Sequence, residues 1–305
     1  MKALVAALLL LVCPPAGVSA QSQPHENQKA VLVTGASTGI GRKITERLAA
    51  HGYFVYAGAR KNADLLALNA MARVQAVRLD VTKPEEIDAA VKTVTQGGRG
   101  LYGLVNNAGI ASAAPLIDMA PEEFDLTMNV NVYGPYRVTR AFAPLIVGAK
   151  GRIVNIGSIR GILSDTDLGA YQMSKHALES FTDVLAQELA ATGVSVSLVD
   201  PGSYNSEIEK NAARRAGRSV EGTERSMYKE PDDVAAAVEL ALSAPLPKRR
   251  YMVVPNQEQA ALTINALLDQ LVQLNEGQPY AYSRDRLVTL LDEALGRARR
   301  QDSRH

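Results

Sequence analysis

From Ala30 onward, short apolar runs alternate with segments of helical period. Ala30-Val-Leu-Val-Thr34 reads as a strand buried on both faces, and residues 41–51 follow as a helix. Residues 54–57 and 74–79 predict the second and third strands. A helix over 84–95 comes next, with Thr82 as its N-cap. Residues 104–106 form the fourth strand, 124–147 a helix bent near Gly134-Pro135, and 152–156 the fifth strand. A long helix over 170–192 precedes the sixth strand at 195–199. A helix at 231–243 then leads to a seventh strand at 250–254. Strands without polar alternation, separated by helices, predict an α/β fold, a doubly wound seven-stranded parallel sheet of Rossmann type. Such sheets bind ligands at the carboxyl ends of their strands.

Both ends of the chain depart from this pattern. Lys2 precedes an apolar run over 3–12, Pro14-Pro15 breaks it, and Val18-Ser19-Ala20 has the small-x-small character of a cleavage site. Residues 1–20 therefore read as a signal peptide or N-terminal anchor, since a span needs roughly 20 apolar residues. Export to a periplasm or secretory lumen, or a membrane tether, is expected; a cytoplasmic enzyme is the alternative. Residues 21–29 are a polar linker and 30–256 the Rossmann domain. In the C-terminal helical extension, 257–305, Ile264, Leu267, Leu268, Leu271 and Leu274 share one helical face. After Gly277 and Pro279, Ser283 can cap a second helix carrying Leu287, Leu290, Leu291 and Leu295. This pair either packs on the main domain or forms an appendage facing a second copy or a membrane.

Composition removes several classes of function. The 305 residues carry a net charge of +1 and no tryptophan, which argues against a nucleic-acid partner. Cys13 is the one cysteine, and His25, His51, His176 and His305 lack ligand spacing, so no metal site is expected.

The chemistry starts at Thr34-Gly35-Ala-Ser37-Thr-Gly39-Ile40-Gly41, between a strand and a helix. Gly35 permits a tight turn, Gly39 lets a pyrophosphate approach, and Gly41 lets the helix pack closely. The helix N-terminus then offers N–H groups to phosphate. No Gly-Lys-Ser/Thr closes the turn, which argues against a mononucleotide loop. This Thr-Gly-x-x-x-Gly-x-Gly spacing resembles the signature of the short-chain dehydrogenase/reductase family.

The resemblance continues along the chain. Asp80-Val81 looks like the family's adenine-contacting pair, and Asn106-Asn107-Ala108-Gly109 like the element that shapes the adenosine floor. Asn131, Ser158 and the Tyr171-x-x-x-Lys175 pair match the catalytic residues. Pro201-Gly202 matches the turn that meets the nicotinamide; Ser206 stands where Thr is usual, and Gly157 where Ser is common. The resemblance implies that Tyr171 exchanges a proton with substrate and that Lys175 also binds the nicotinamide ribose. It further implies that Ser158 bonds the substrate oxygen and that Asn131 holds a water leading to Lys175. Four residues apart, Tyr171 and Lys175 share a helix face. A neighbouring ammonium favours phenolate over a phenol of pKa about 10.

At the end of the second strand the acidic position is Ala59, followed by Arg60 and Lys61. A guanidinium there accepts a 2′-phosphate, so NADP is the preferred cofactor and NAD the alternative. The resemblance implies a homo-oligomer built on the helices over 124–147 and 170–192, with Leu178, Phe181 and Leu185 on their second faces; packing on the sheet is the other reading. It makes 203–230 a substrate-selecting lid, with Ile208, Met227 and Tyr228 as apolar contacts. Lys248-Arg-Arg-Tyr251 resembles members acting on steroids, retinoids and other lipid-like alcohols. An oxidoreductase of secondary alcohols or ketones is thus expected. A cofactor-binding scaffold or redox sensor without turnover, and a lipid-binding protein using its terminal helices, are the alternatives.

Overall fold

The computed structural model describes residues 28–166, 168–215, 217–221 and 228–302. The expected signal segment, most of the linker and Met227 lie outside the described residues. The order begins β1 (Ala30–Val33), α1 (Gly39–Ala50), β2 (Phe54–Ala59), α2 (Asn62–Asn69), β3 (Val74–Arg78) and α3 (Pro84–Gln96). It continues through β4 (Gly103–Asn106), α4 (Pro121–Met128), α5 (Gly134–Gly148), β5 (Arg152–Ile156), α6 (Gly169–Glu188) and β6 (Ser195–Pro201). Then follow α7 (Ile208–Arg215), α8 (Asp232–Ser243), β7 (Arg250–Val253), α9 (Gln257–Asn275) and α10 (Arg284–Asp302).

The seven strands are all parallel, in the order β3-β2-β1-β4-β5-β6-β7. The expected doubly wound Rossmann-type sheet is therefore present. Its order reverses between β1 and β4, where connections run to opposite faces and open a crevice at the carboxyl ends. All of β1 is buried because helices cover both faces. Val31 and Val33 meet Ile44 and Leu48 of α1 and Val238 and Leu242 of α8. Leu32 faces the other layer, with Leu104, Ile153 and the α5 residues Val138, Phe142 and Ile146. Each such side chain contributes roughly 1.5–3 kcal/mol when fully buried. Glu239 of α8 ties the outer layer to α1, accepting from Arg47 Nε at 2.6 Å and pairing with His51 Nδ1 at 2.5 Å.

Several local expectations are corrected. Thr82 does not cap α3. Lys83 precedes the helix with extended backbone, and the Thr82 hydroxyl donates instead to Asp80 Oδ1 at 2.7 Å. The long helix is interrupted by a π-helical turn, Asn129–Tyr133, rather than by Pro135. Pro135 sits in the first turn of α5, where a missing N–H is harmless. Leu178 is buried in the chain's own core, so it does not belong to a second face; the exposed large apolar residues of these helices are Leu126, Tyr133, Tyr136, Met173 and Val184. Two short helices, α2 and α7, were not expected from the sequence.

Ser283 accepts from Arg286 N–H at 3.3 Å, as a cap should. The apolar face of α9 is largely uncovered: Ile264, Leu267, Leu268 and Leu271 are all more than 40% exposed, while Thr263 is fully buried. Helical period reveals which residues share a face, not what covers it. Among the described residues no helix is long and apolar enough to cross a membrane.

Candidate active site

The site is assembled where β1 and β4 end side by side. Val33 pairs with Val105, so Thr34 meets the strand that leads to Asn107. The Thr34 hydroxyl accepts the N–H groups of Asn107 and Ala108, both at 3.0 Å. In return the Asn107 amide donates to the carbonyls of Thr34 at 2.9 Å and Gly35 at 3.0 Å. This clamp holds the glycine-rich turn rigid from residues some seventy positions away. Gly35 (φ 64) and Gly39 (φ 53) occupy left-handed backbone that a side chain would strain. At Gly41 a Cβ would overlap both Asn107 Nδ2 and the Gly35 carbonyl.

A cleft of about 590 Å³ opens above this turn. It brings together Gly35, Ser37, Gly39, Ile40, Gly41, Arg60, Asp80, Val81, Asn107, Ala108 and Gly109 with Ser158, Tyr171, Lys175, Pro201, Gly202 and Ser206. Of the candidate catalytic and cofactor-binding residues, Thr34 and Asn131 do not line it and stand behind it. The cleft fits a dinucleotide. Thr38 precedes α1 without capping it through its side chain, so the first-turn N–H groups are left for a ligand. At the β2 end no carboxylate occupies the Ala59 position, and Arg60 lies 63% exposed, 3.8 Å from Asp80 Oδ2. Burial pulls the Asp80 carboxyl upward, but bonds from Thr82 and the Arg60 and Lys83 charges outweigh it and hold it below its ordinary value.

The π-helical turn aims Asn131 inward. Its amide donates to Ile110 O at 2.8 Å and Ser174 Oγ at 2.9 Å, and its Oδ1 accepts from Ile110 N–H at 2.9 Å. The side chain thus locks the β4 outlet to α6. Ser158 follows β5; its Oγ accepts Arg160 N–H at 3.1 Å, which orients the hydroxyl. Tyr171 and Lys175 share one face of α6, with Lys175 Nζ 5.6 Å from the Tyr171 ring centre. Lys175 Nζ donates to Ile156 O at 2.8 Å. Burial lowers this ammonium to about 8, against the pull of the nearby Asp200 carboxylate.

Asp200 and Gln259 were missed in the sequence. Asp200 is 2% exposed at the end of β6, and its Oδ1 accepts Ser158 N–H at 3.0 Å. Burial, with Glu179 nearby, raises its carboxyl to about 8. An acid between an apolar strand and Pro201-Gly202 was the available signal, because a buried charge demands partners. Gln259, from α9, accepts Ser203 N–H at 2.9 Å and so braces the same turn. No local pattern marked it.

A glycine-rich cradle at the switch point, with a tyrosine–lysine–serine cluster in the same cleft, defines a nicotinamide-dependent oxidoreductase. Residues 29–217 match the short chain dehydrogenase family, and the chain belongs to it. It is an enzyme acting on alcohol and carbonyl groups with a nicotinamide cofactor. It is 34% identical over 231 residues to the uncharacterized oxidoreductase YbbO of Escherichia coli K12, a match covering 74% of this chain and 86% of that one. Human 17-beta-hydroxysteroid dehydrogenase type 6 is 40% identical over 185 residues, covering 59% of this chain and 58% of the relative, so the match spans little more than half of it. Among solved structures, a short-chain dehydrogenase from Streptomyces avermitilis superposes with TM-score 0.71 at 32% identity, covering 82% of this chain and 96% of that one. Two others carry the cofactor. One from Burkholderia phymatum holds NAD (TM-score 0.70, 26% identity, 84% and 98% covered). A metagenomic oxidoreductase holds NADP (TM-score 0.62, 32% identity, 75% and 97% covered).

Proposed function

We propose that this enzyme interconverts a secondary alcohol and a ketone of lipid-like character, using NADP in preference to NAD, with Tyr171 as the proton-transfer residue. The observation that carries the reading is that Ser158, Tyr171 and Lys175 line the same cleft as the glycine-rich turn. Gly35, Ser37, Gly39, Ile40 and Gly41 would hold the pyrophosphate, Asp80 and Val81 the adenine, and Asn107, Ala108 and Gly109 the adenosine floor. Pro201, Gly202 and Ser206 would meet the nicotinamide end. When bound, the dinucleotide supplies the hydride acceptor or donor.

The chain's own residues do the rest. Ser158 donates its hydroxyl to the substrate oxygen and stabilises charge as it develops there. Tyr171 takes the hydroxyl proton in oxidation and returns it to the carbonyl oxygen in reduction. Lys175 favours the phenolate of Tyr171 through its charge and would hold the ribose. Asn131 positions α6 through Ser174. With its amide and carbonyl groups so engaged, its side chain acts as a brace. The NADP preference is supported by Ala59 and by Arg60, whose 3.8 Å pair with Asp80 is solvent-exposed on the arginine side and worth about 1 kcal/mol at most. The lipid-like substrate is supported by relatives named for hydroxysteroids and retinol.

The layout is read as an export signal or anchor over 1–20, a linker over 21–29, a catalytic domain over 30–256 and a helical appendage over 257–305. A homo-oligomer is supported by the exposed Tyr133, Tyr136, Met173 and Val184 on α5, α6 and the π-helical turn. Membrane contact through the termini is supported by the uncovered apolar residues of α9. The test of function is a carbonyl and alcohol screen read by nicotinamide absorbance, followed by Tyr171→Phe. Turnover falls by about 10²–10⁴ with dinucleotide binding kept. Near-normal turnover in the variant overturns the assignment, and no turnover on any substrate returns the chain to a cofactor-binding scaffold.

A further inference from the structure

The β5–β6 ladder ends with Gly157 N–H donating to Val199 O at 2.8 Å. The next rung is made by a side chain. Asp200 Oδ1 takes the Ser158 N–H at 3.0 Å, in a place nearly closed to solvent. It fits only because residue 157 is glycine, since a Cβ there would overlap Asp200 Oδ1 far inside the 3.0 Å that real contacts keep. The glycine at 157 and the acid at 200 are therefore one feature. From the other side, Lys175 Nζ holds Ile156 O at 2.8 Å. The three residues Ile156, Gly157 and Ser158 are thus pinned between α6 and the end of β6.

We propose that Asp200 is a positioning residue of this active site, fixing the Ser158 backbone and answering the charge of Lys175, with Gly157 making the room it needs. The inference rests on the roles proposed above for Ser158 and Lys175. Leaving a carboxylate here has a physical cost, because a buried charge without close partners is strongly disfavoured. Among the described residues, the charged groups around it are few. Lys175 and Glu179 come from α6, with His176 beside Glu179, and Arg250 comes from β7. Glu179 is engaged by Arg250 Nε at 2.8 Å, and Arg250 Nη2 reaches Asp183 at 2.6 Å. That leaves Asp200, once it ionises at about 8, as the acid that supports the Lys175 ammonium against burial on the alkaline side.

The sign of the effect follows. A carboxylate beside the ammonium raises its pKa, so removing that charge lets Lys175 lose its proton at lower pH. In Asp200→Asn the side-chain oxygen can still accept Ser158 N–H while the charge is gone. The test measures dissociation constants of NADPH, with NADH in parallel, by fluorescence titration across pH, then kcat against pH with an active substrate. The expected result is that the alkaline limb of both profiles moves down by about one pH unit. At pH 8, kcat falls by about fivefold. Gly157→Ser should give the same shift by crowding the carboxylate out. The double variant Gly157→Ser with Asp200→Ala removes the crowding and restores thermal stability, but the shifted limb remains. A merely structural role predicts that the double variant recovers both. Wild-type limbs in Asp200→Asn, or full recovery in the double variant, overturn the proposal. Should Asp200→Asn fail to fold, the double variant decides. Normal turnover in Tyr171→Phe overturns the functional reading instead, whatever Asp200 does.

Discussion

Replacing Gly41 by alanine puts one methyl group where the glycine-rich turn and the β4 outlet touch. The added carbon would overlap Asn107 Nδ2 and Gly35 O, so one or both must move by more than half an ångström to reach the 3.0 Å limit of real contacts. Neither is a flexible end. The carbonyl is backbone, and the amide is held by bonds to Thr34 O at 2.9 Å and Gly35 O at 3.0 Å. Breaking two neutral bonds at about 0.5–1.5 kcal/mol each costs roughly 1–3 kcal/mol, a factor of about 5–150. Because the same turn would seat the pyrophosphate, the loss falls on dinucleotide affinity as well as on stability. Fluorescence titration with NADPH should show a dissociation constant raised about 10- to 100-fold, and urea unfolding a loss of roughly 1–3 kcal/mol. Gly148→Ala is the control, since nothing lies within 4 Å of a Cβ there and its backbone is ordinary. It should leave affinity unchanged. A Gly41→Ala enzyme that binds NADPH within twofold of wild type, with unaltered stability, would refute the clamp and its role in the cofactor seat.

Three further outcomes are expected. Arg60→Ala should lower the ratio of kcat/KM for NADP over NAD by about 10- to 150-fold, the worth of a charge-assisted bond; an unchanged ratio removes Arg60 from phosphate recognition. Burial pushes the Glu239 carboxyl up, but His51 and Arg47 outweigh it, so its folded pKa lies below the unfolded value. The α1–α8 clamp therefore contributes stability above the unfolded carboxylate range and loses it as pH falls through the lower folded value. Unfolding free energies of wild type and Glu239→Gln should converge at acid pH, and a constant gap across pH rejects the linkage. Light scattering at micromolar concentration should give a mass of at least two chains; a monomeric mass rejects the oligomer.

The parallel sheet was legible because every strand is a short apolar run and every helix between strands has its own period, both local properties. The cofactor cradle and the tyrosine–lysine pair were legible for the same reason. A turn with three glycines, and a phenol four residues from an ammonium, state their geometry within a few positions. Asp200 stayed hidden because its partner Ser158 lies 42 residues away, on a neighbouring strand end. The vacancy at Gly157 that admits it has no meaning until β5 and β6 are paired. Gln259 is more distant still in kind, since it comes from the extension and braces Ser203 across 56 residues. Residues of the C-terminal helices announced an apolar face, yet only the folded chain showed that face uncovered. Sequence period fixes which side chains point together, whereas what they meet depends on nonlocal packing. Local chemistry in this protein was thus written in the chain, and the positioning of Ser158, the bracing of the nicotinamide-side turn and the exposure of α9 were decided by tertiary structure.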